Sequence, residues 1–157
     1  NGTERCLEVL QHLEKRGDRF DVVVNVQGDE PFIEAEHIDK VIDAVASDGD
    51  ARMGTLARRS NKDDAEDVTS VNNVKCVLDV NGYALYFSRA MIPHNKKGTY
   101  DKSTRYWRKL GIYSYRADFL ERYVNMPESE LQRAEDLEQN KVIEAGYRIK
   151  VGIVDKA

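Results

Sequence analysis

The spacing of apolar residues along the first third of the chain predicts alternating helices and strands. Helical spacing of four apolar residues predicts an amphipathic helix over residues 3–16, ended by Gly17: Cys6, Val9, Leu10 and Leu13. A nearly continuous β-branched run over 21–27 predicts a strand covered on both faces. A second helical pattern, from Ile38 to Val45, precedes a short strand at 53–57. This order predicts an α/β fold, Rossmann-like, with a mostly parallel sheet flanked by helices.

The middle of the chain has a different pattern, which predicts antiparallel strands. Apolar runs on both sides of Asn81-Gly82 predict a hairpin over 74–88, because Asn-Gly is the strongest signal for a two-residue turn. A polar loop then leads to another predicted strand at 107–115. We therefore expect a single domain over 1–157 that carries an inserted antiparallel lobe at 72–116.

The last part of the chain predicts one long helix followed by a strand. The helix is expected over 129–145 with Gly146 just after its end, and the strand over 147–154. Four residues share one face of that helix: Glu135, Glu138, Gln139 and Val142. The polar row along this face is typical either of a solvent-exposed edge or of hydroxyl-binding groups facing a sugar. The pattern starts directly on a helix and stops just after a strand, which predicts a fragment lacking both ends of its domain.

Composition narrows the classes of protein and of partner. With 41% hydrophobic and 33% charged residues, the 157-residue chain is typical of a soluble globular protein. Its net charge of −4 argues against nucleic acid as a partner, and no apolar run approaches the roughly 20 residues that span a bilayer. Cys6 and Cys76 are typical of small buried side chains in a reducing compartment. We expect a cytoplasmic protein, or one of an organelle if the source is eukaryotic.

The sharpest site signal is the segment Asn25 to Pro31 (NVQGDEP), which directly follows the buried strand. Ligands of open α/β sheets bind outside the carboxyl ends of the strands. Asp29 at that position predicts a ligand for Mg²⁺, which prefers one or two carboxylates together with substrate phosphates, and Gln27 adds an amide nearby. The alternative is a solvated turn whose acids cap the next helix.

Basic residues supply two weaker signals for an anionic ligand. Thr3 and Arg5 lie at a helix start, where backbone N–H groups favour anions, although Thr3 alone is more often a plain cap. Cations around the predicted lobe would suit a carboxylate or phosphates, or they are surface residues: Arg89, Lys96, Lys97 and Lys109. The three histidines lack the spacing of metal ligands.

Together these motifs resemble one enzyme family, the 3-deoxy-manno-octulosonate cytidylyltransferases, or CMP-Kdo synthetases. The segments that carry the resemblance are GTERC at 2–6, VVNVQGDEP at 23–31, NGYALYFSRAMIP at 81–93, GIYSYR at 111–116, LEQ at 137–139 and GYRIKV at 146–151. They span almost the whole chain in the family's order, and NVQGDEP and GYALYFSR are the most specific of them.

The resemblance implies an α/β nucleotidyltransferase that forms a homodimer, uses Mg²⁺ and couples CTP to the acidic sugar Kdo. The products would be pyrophosphate and CMP-Kdo, for lipopolysaccharide or related glycan synthesis. It further implies a basic nucleotide-binding loop before residue 1 and a second Mg²⁺-binding Asp after residue 157.

The resemblance also implies roles for individual residues. Asp29 would bind the metal, and Asp29 and Arg89 would lie at the catalytic centre. Thr3, Arg5 and Gln27 would contact CTP. The sugar side would comprise five residues: Lys96, Lys109, Tyr113, Glu138 and Gln139. Lys109 stands where the family often has His, and Lys96 where relatives can have Arg.

Two other functions compete with this one. The enzyme could take another acidic sugar, such as a sialic acid, within the same class of nucleotidyltransferases. Alternatively, the chain could be an inactive fragment or interaction module that keeps the core of the fold. Mg²⁺-dependent binding of CTP would separate an enzyme from such a module.

Overall fold

A computed structural model describes residues 1–28 and 33–155. The six helices of these residues are α1 (Gly2–Lys15), α2 (Ala35–Ala46), α3 (Glu66–Thr69), α4 (Ala117–Asn125), α5 (Glu130–Glu135) and α6 (Asn140–Glu144). The six strands are β1 (Val22–Val26), β2 (Ala51–Arg59), β3 (Lys75–Leu78), β4 (Ala84–Ser88), β5 (Trp107–Arg116) and β6 (Arg148–Val154).

The longest strand, β5, lies at the centre of one six-stranded sheet. The strand order is β4-β3-β5-β2-β6, and β1 pairs with β5 beside β3. The α/β class is therefore confirmed, but the prediction of a mostly parallel sheet is wrong. Of the five strand pairings in the described residues, only β2 with β6 is parallel.

The direction of β5 explains this difference. The strands β1, β2 and β6 share one direction, as the sequence pattern predicted, but β5 runs against both β1 and β2 between them. A buried apolar strand reads the same in either direction, so its pattern carries no information on polarity. The hairpin of β3 and β4 is confirmed and extends the same sheet; the division into one domain with a lobe at 72–116 stays a prediction.

Helices cover the sheet on both faces. The larger core cluster packs α1, α4 and α6 against one face of the sheet, with Phe87, Leu120 and Ile149 among its buried members. A second cluster packs α2 against the other face through Val41 and Leu56. There a Cβ on Gly54 would lie 2.5 Å from Ser114 Oγ and 3.0 Å from Ala44 Cβ, so glycine allows α2 to approach the sheet closely. The central strands are thereby held between two layers.

The first helix agrees closely with the sequence pattern. Asn1 caps it by accepting a 3.0 Å hydrogen bond from the backbone N–H of Glu4. Leu10 and Cys6 of its predicted apolar face pack on the core, whereas Val9 is 58% exposed. Cys6 and Cys76 are both free thiols; Cys76 is buried, as predicted, and Cys6 is half-buried. None of the helices in residues 1–28 and 33–155 has the length and apolar character needed to cross a membrane.

The long helix predicted over 129–145 is instead two short helices, α5 and α6. Asp136 follows α5 in the left-handed conformation, with φ 51° and ψ 48°, and so ends that helix. Residues 137–139 then turn inward before α6 begins, and Leu137 and Gln139 become buried. The helical pattern of apolar residues misses this break because Asp tolerates the left-handed conformation without a glycine signal. The predicted Gly146 after the last helix is confirmed, with φ 86°.

Candidate functional site

A polar hollow of about 330 Å³ opens where five parts of the fold meet. These parts are the start of α1, the end of β1, one face of β5, the helix α4 and the turn between α5 and α6. The lining residues are Thr3, Gln27, Lys109, Gly111, Tyr113, Tyr115, Tyr123, Asp136, Leu137, Glu138 and Gln139. Six of them are residues that the sequence motifs assigned to ligands: Thr3, Gln27, Lys109, Tyr113, Glu138 and Gln139.

The strand β5 builds one wall of the hollow by its alternation. Lys109, Gly111, Tyr113 and Tyr115 all occupy odd positions, which project from one face of a strand. The antiparallel register pairs Asn25 with Tyr113 and Val26 with Ile112, so that Gln27, just after β1, arrives at the same wall. The buried Asn25 side chain donates a 3.3 Å hydrogen bond to Thr3 Oγ1 and ties the first turn of α1 to this edge.

One lysine, Lys109, and two carboxylates, Asp136 and Glu138, line the hollow. The Lys109 ammonium donates to the Tyr113 hydroxyl and lies 4.7 Å from the centre of its ring. On the turn between α5 and α6, Glu138 Oε1 accepts a 3.0 Å hydrogen bond from the ammonium of Lys141. Lys141 is only 5% exposed and lies 4.3 Å from the centre of the Tyr123 ring, so it supports Glu138 from behind. The hollow thus offers an anion-attracting side and a hydrogen-bond-accepting side.

Two tyrosines form the floor. The rings of Tyr115 and Tyr123 lie 4.8 Å apart. Burial raises the pKa of both hydroxyls, so they stay protonated at neutral pH. Thr3 lines the same hollow, so the floor adjoins the start of α1.

Gln139 places a buried amide donor in the wall of the hollow. Its side chain is 4% exposed, and its Nε2 has no hydrogen-bond partner among the described residues. Because an unpaired buried donor costs free energy, such a group is suited to bind an acceptor on a ligand. A sugar hydroxyl or carboxylate in the hollow would supply one.

Three predicted site residues lie outside this lining. Arg5 points away, is 80% exposed as a side chain and pairs with Glu8 at 3.0 Å. Lys96 is exposed on the loop between β4 and β5. Arg89, at the end of β4, binds backbone carbonyls of the turn after α5, so it touches the segment behind the hollow.

The predicted metal ligand, Asp29, lies outside the described residues. Within residues 1–28 and 33–155, no group of three or more His, Cys, Asp or Glu side chains could hold a metal ion. The metal prediction therefore continues to rest on the sequence motif at the end of β1.

The sequence motifs missed the hollow's floor and the support behind Glu138. The motifs singled out neither Tyr115 and Tyr123 nor Lys141. Tyr115 shares the odd-numbered face of β5 with Lys109 and Tyr113, and this alternation was the signal that could have found it. Lys141 follows Glu138 by three residues, a spacing at which opposite charges meet on a helix.

Comparison with known proteins agrees with these motifs. A sequence model of the family described as cytidylyltransferase matches residues 1–149. The chain is 48% identical over 155 residues to the mitochondrial 3-deoxy-manno-octulosonate cytidylyltransferase of Arabidopsis thaliana, covering 99% of this chain and 51% of that protein. The 3-deoxy-manno-octulosonate cytidylyltransferase of Protochlamydia amoebophila is 43% identical over 156 residues, covering 99% of this chain and 59% of that protein. The chain therefore spans about half the length of the first of these relatives.

A solved structure is similar to the whole described fold. It is described as CMP:2-keto-3-deoxy-manno-octonic acid synthetase complexed with CTP, and it matches with a TM-score of 0.83 and 32% sequence identity. The match covers 99% of this chain and 60% of that one.

Proposed function

The chain belongs to the cytidylyltransferase family, and on that premise we propose that its protein transfers CMP from CTP to Kdo, forming CMP-Kdo and pyrophosphate. The family predicted from the motifs is thereby confirmed. The observation that supports the proposal best is the polar hollow, which gathers six predicted ligand residues from four separate segments. The names of the relatives and the CTP in the similar structure support the choice of both substrates.

The chemistry of the hollow suits an acidic sugar. The Lys109 ammonium offers a counter-charge for a carboxylate, and Glu138 offers an acceptor for hydroxyl groups. Gln139 adds a buried amide donor without a partner among the described residues, and the Tyr113 hydroxyl borders the same space. Since Lys109 and Glu138 carry opposite charges, they would orient the sugar with its carboxylate toward β5.

The nucleotide is proposed to approach from the side of α1 and β1. Thr3 and Gln27 line the hollow there, and the first turn of α1 presents backbone N–H groups. Arg5, exposed on the same helix, is proposed to reach the CTP phosphates. Arg89 is proposed to lie beside the catalytic centre, and Lys96 is proposed to contact the sugar.

A divalent metal, Mg²⁺, is proposed to bind at Asp29. The described residues bring only Asp136 and Glu138 to the hollow as carboxylates, and Glu138 is paired with Lys141. These residues alone do not make a magnesium site, so the proposal depends on the acidic segment that follows β1.

The proposed reaction is a single displacement. The anomeric hydroxyl oxygen of Kdo bonds to the α-phosphorus of CTP, the bond from that phosphorus to the pyrophosphate oxygen breaks, and the hydroxyl proton passes to water. Phosphoryl and nucleotidyl transfers depend mainly on positioning and charge neutralisation. The walls of the hollow supply both on the sugar side. A homodimer, a cytoplasmic location and a place in lipopolysaccharide or related glycan synthesis complete the proposal.

Substitution at Lys109 tests the sugar side. Binding of Kdo to the protein, measured by calorimetry with Mg²⁺ and a CTP analogue that cannot release pyrophosphate, should weaken by about tenfold in Lys109→Met, because a charge-assisted contact is lost. The matched control is Lys102→Met, which removes a lysine that is 69% exposed and pairs with Asp63 on the surface. The control should bind Kdo as the unaltered protein does.

Product analysis separates the competing functions. Mass spectrometry should detect CMP-Kdo when CTP, Kdo and Mg²⁺ are supplied, and only traces of product with a sialic acid. Preferential formation of CMP-sialic acid would transfer the proposal to another acidic sugar.

In the substitution experiment, equal Kdo affinity in Lys109→Met and Lys102→Met would remove Lys109 from the sugar site.

A further inference from the structure

The turn that brings Glu138 and Gln139 into the hollow is fastened to strand β4 at both ends. We call residues 136–139 the hollow-facing segment. It has no regular secondary structure apart from its turns, and it contains the left-handed Asp136. An irregular segment keeps one shape only where the surrounding structure specifies it. Its anchors therefore decide how two proposed sugar ligands are presented.

The upstream anchor is the carboxylate of Glu135, the last residue of α5. It accepts hydrogen bonds from Ser88 Oγ at 2.6 Å, from the backbone N–H of Arg89 at 2.9 Å and from Tyr86 Oη at 3.1 Å. All three donors belong to β4 or the residue after it. Burial alone would raise the pKa of Glu135, but these hydrogen bonds outweigh it and hold the pKa below its ordinary value.

Arg89 strengthens the same anchor by donating to backbone carbonyl oxygens at the end of α5. Its Nε donates to the carbonyl oxygen of Glu135 at 2.7 Å, and its Nη2 donates to that of Asp136 at 3.1 Å. These are the carbonyls that an uninterrupted helix would have bonded to later backbone N–H groups. Arg89 therefore satisfies the end of α5 and stabilises the break.

The downstream anchor is Asn140, the first residue of α6. Its fully buried side chain donates a 3.1 Å hydrogen bond to the carbonyl oxygen of Phe87 on β4. The segment between Glu135 and Asn140 is thus held at both ends by four consecutive residues, 86–89, which are the last three residues of β4 and the residue after it. Glu138 and Gln139 lie between the two anchors.

We propose that Glu135 is a positioning residue for sugar binding: its carboxylate fixes the hollow-facing segment to β4, so that Glu138 and Gln139 meet the substrate in one orientation. The proposal rests on the proposed function for the identity of the ligand. Glu135 itself does not line the hollow among the described residues. Its effect therefore passes through the segment.

Glu135→Gln tests this role with Asp67→Asn as its matched control. Asp67 is likewise a hydrogen-bonded carboxylate, bound by Arg58 and Arg108, but it does not line the hollow. Two properties are measured in each protein: hydrogen exchange of the Leu137 and Asn140 amides, and calorimetric affinity for Kdo with Mg²⁺ and a CTP analogue that cannot release pyrophosphate. Ser88→Ala, which removes one of the three donors, provides a milder second variant.

In Glu135→Gln, we expect both amides to exchange at least about tenfold faster and Kdo to bind at least about tenfold more weakly, because a hydrogen-bonded carboxylate is lost. Ser88→Ala should change both properties in the same direction by less. In Asp67→Asn, both properties should stay within about twofold of the unaltered protein after allowance for global stability.

The outcomes separate the two proposals. Unchanged exchange in Glu135→Gln and Ser88→Ala would overturn the anchoring role, and faster exchange with unchanged Kdo affinity would overturn the link to the sugar. Equal effects in Asp67→Asn would show a general loss of stability and would also overturn it. If the unaltered protein bound no Kdo, the proposed function would fail, and the exchange data alone would still decide whether Glu135 holds the segment.

Discussion

Two hydrogen-bonded carboxylates, the buried Asp67 and the half-buried Glu135, satisfy their charges in different ways and have different consequences. Asp67 accepts hydrogen bonds from two guanidinium groups, with Arg58 at 2.8 and 2.9 Å and Arg108 at 2.7 Å, and from one backbone N–H. Glu135 accepts from two hydroxyls and one backbone N–H. The first network joins α3 to β2 and β5, whereas the second holds the segment that faces the hollow.

The difference shows that a buried ion pair is a poor guide to function by itself. Asp67 carries the stronger charge pairing, yet it lies away from the hollow's lining. Glu135 has mostly neutral donors, yet it controls a segment with two proposed ligands. What matters is which part of the chain a network restrains, and strong pairing alone indicates stability.

Lys75 lies between the two networks. Its fully buried ammonium donates to the carbonyl oxygens of Ser70, Asn73 and Arg89 at 2.8, 2.5 and 2.6 Å. Burial lowers its pKa from 10.5 to about 8; the negative charges of Glu135 and Asp67 oppose this, while Arg108 and Arg89 add to it. Lys75 therefore couples both networks to the pH dependence of stability.

The largest expected effect is on the Asp67 network. Asp67→Asn should lower the free energy of unfolding by about 3 kcal/mol, because it leaves two arginines without their buried counter-charge. Urea denaturation measures this loss. Affinity for Kdo should stay unchanged, and a parallel loss of Kdo binding would break the distinction between the two carboxylates.

The next effect concerns Lys75 and pH. Because its folded pKa lies below its unfolded value, the unfolded chain binds one more proton between the two values, and stability rises with pH there. This contribution is absent below about pH 8 and should reach about 2 kcal/mol by about pH 9.5. Urea titrations of the unaltered protein and of Lys75→Met should diverge by that amount, since other titrating groups are common to both.

A constant difference between those two proteins across this pH range would show that Lys75 keeps an ordinary pKa. The two networks would then be independent of each other in their response to pH.

The smallest expected effect tests how much the backbone conformation of Asp136 itself contributes to stability, apart from the anchors of the hollow-facing segment. Asp136→Ala should lower the free energy of unfolding by about 1 kcal/mol, because alanine is strained in the left-handed conformation. Asp136→Gly should stay within about 0.5 kcal/mol of the unaltered protein, because glycine adopts that conformation freely but loses more entropy on folding. Equal stabilities of the two variants would mean that the turn relaxes and that Glu135 does not fix its shape.

Most elements of the fold could be predicted from the sequence, because their apolar periodicity is strong. The patterns around Leu10 and Val41 gave helices near their observed bounds, and Asn81-Gly82 gave the hairpin. The direction of β5 could not be predicted, since pairing partners lie far apart along the chain. The break at Asp136 was missed because hydrogen bonds from β4, distant in sequence, override the local helical pattern.

The candidate site was predictable where one residue type at one position carries the chemistry. Thr3, Gln27, Lys109 and Tyr113 were found in this way from motifs, and the structure brings them together with Glu138 and Gln139. Lys141 was not singled out, and Glu135 was named only in a polar row that could face a sugar, whereas the structure bonds its carboxylate to β4 and the residue after it. Their roles depend on which backbone or side chain they reach in three dimensions, and Asp29 stays a prediction from the motif.

The alternation of β5 separates two kinds of mutational freedom within one strand. Its even-numbered residues Leu110, Ile112 and Ser114 are buried against α2 and neighbouring strands, where a change of volume would disturb the whole sheet. Its odd-numbered residues from Lys109 to Tyr115 line the hollow, so a lineage could exchange the side chain at 109 and alter the hollow without repacking the face that lies against α2. Selection could therefore change the hollow at position 109 while the buried even-numbered neighbours remain fixed.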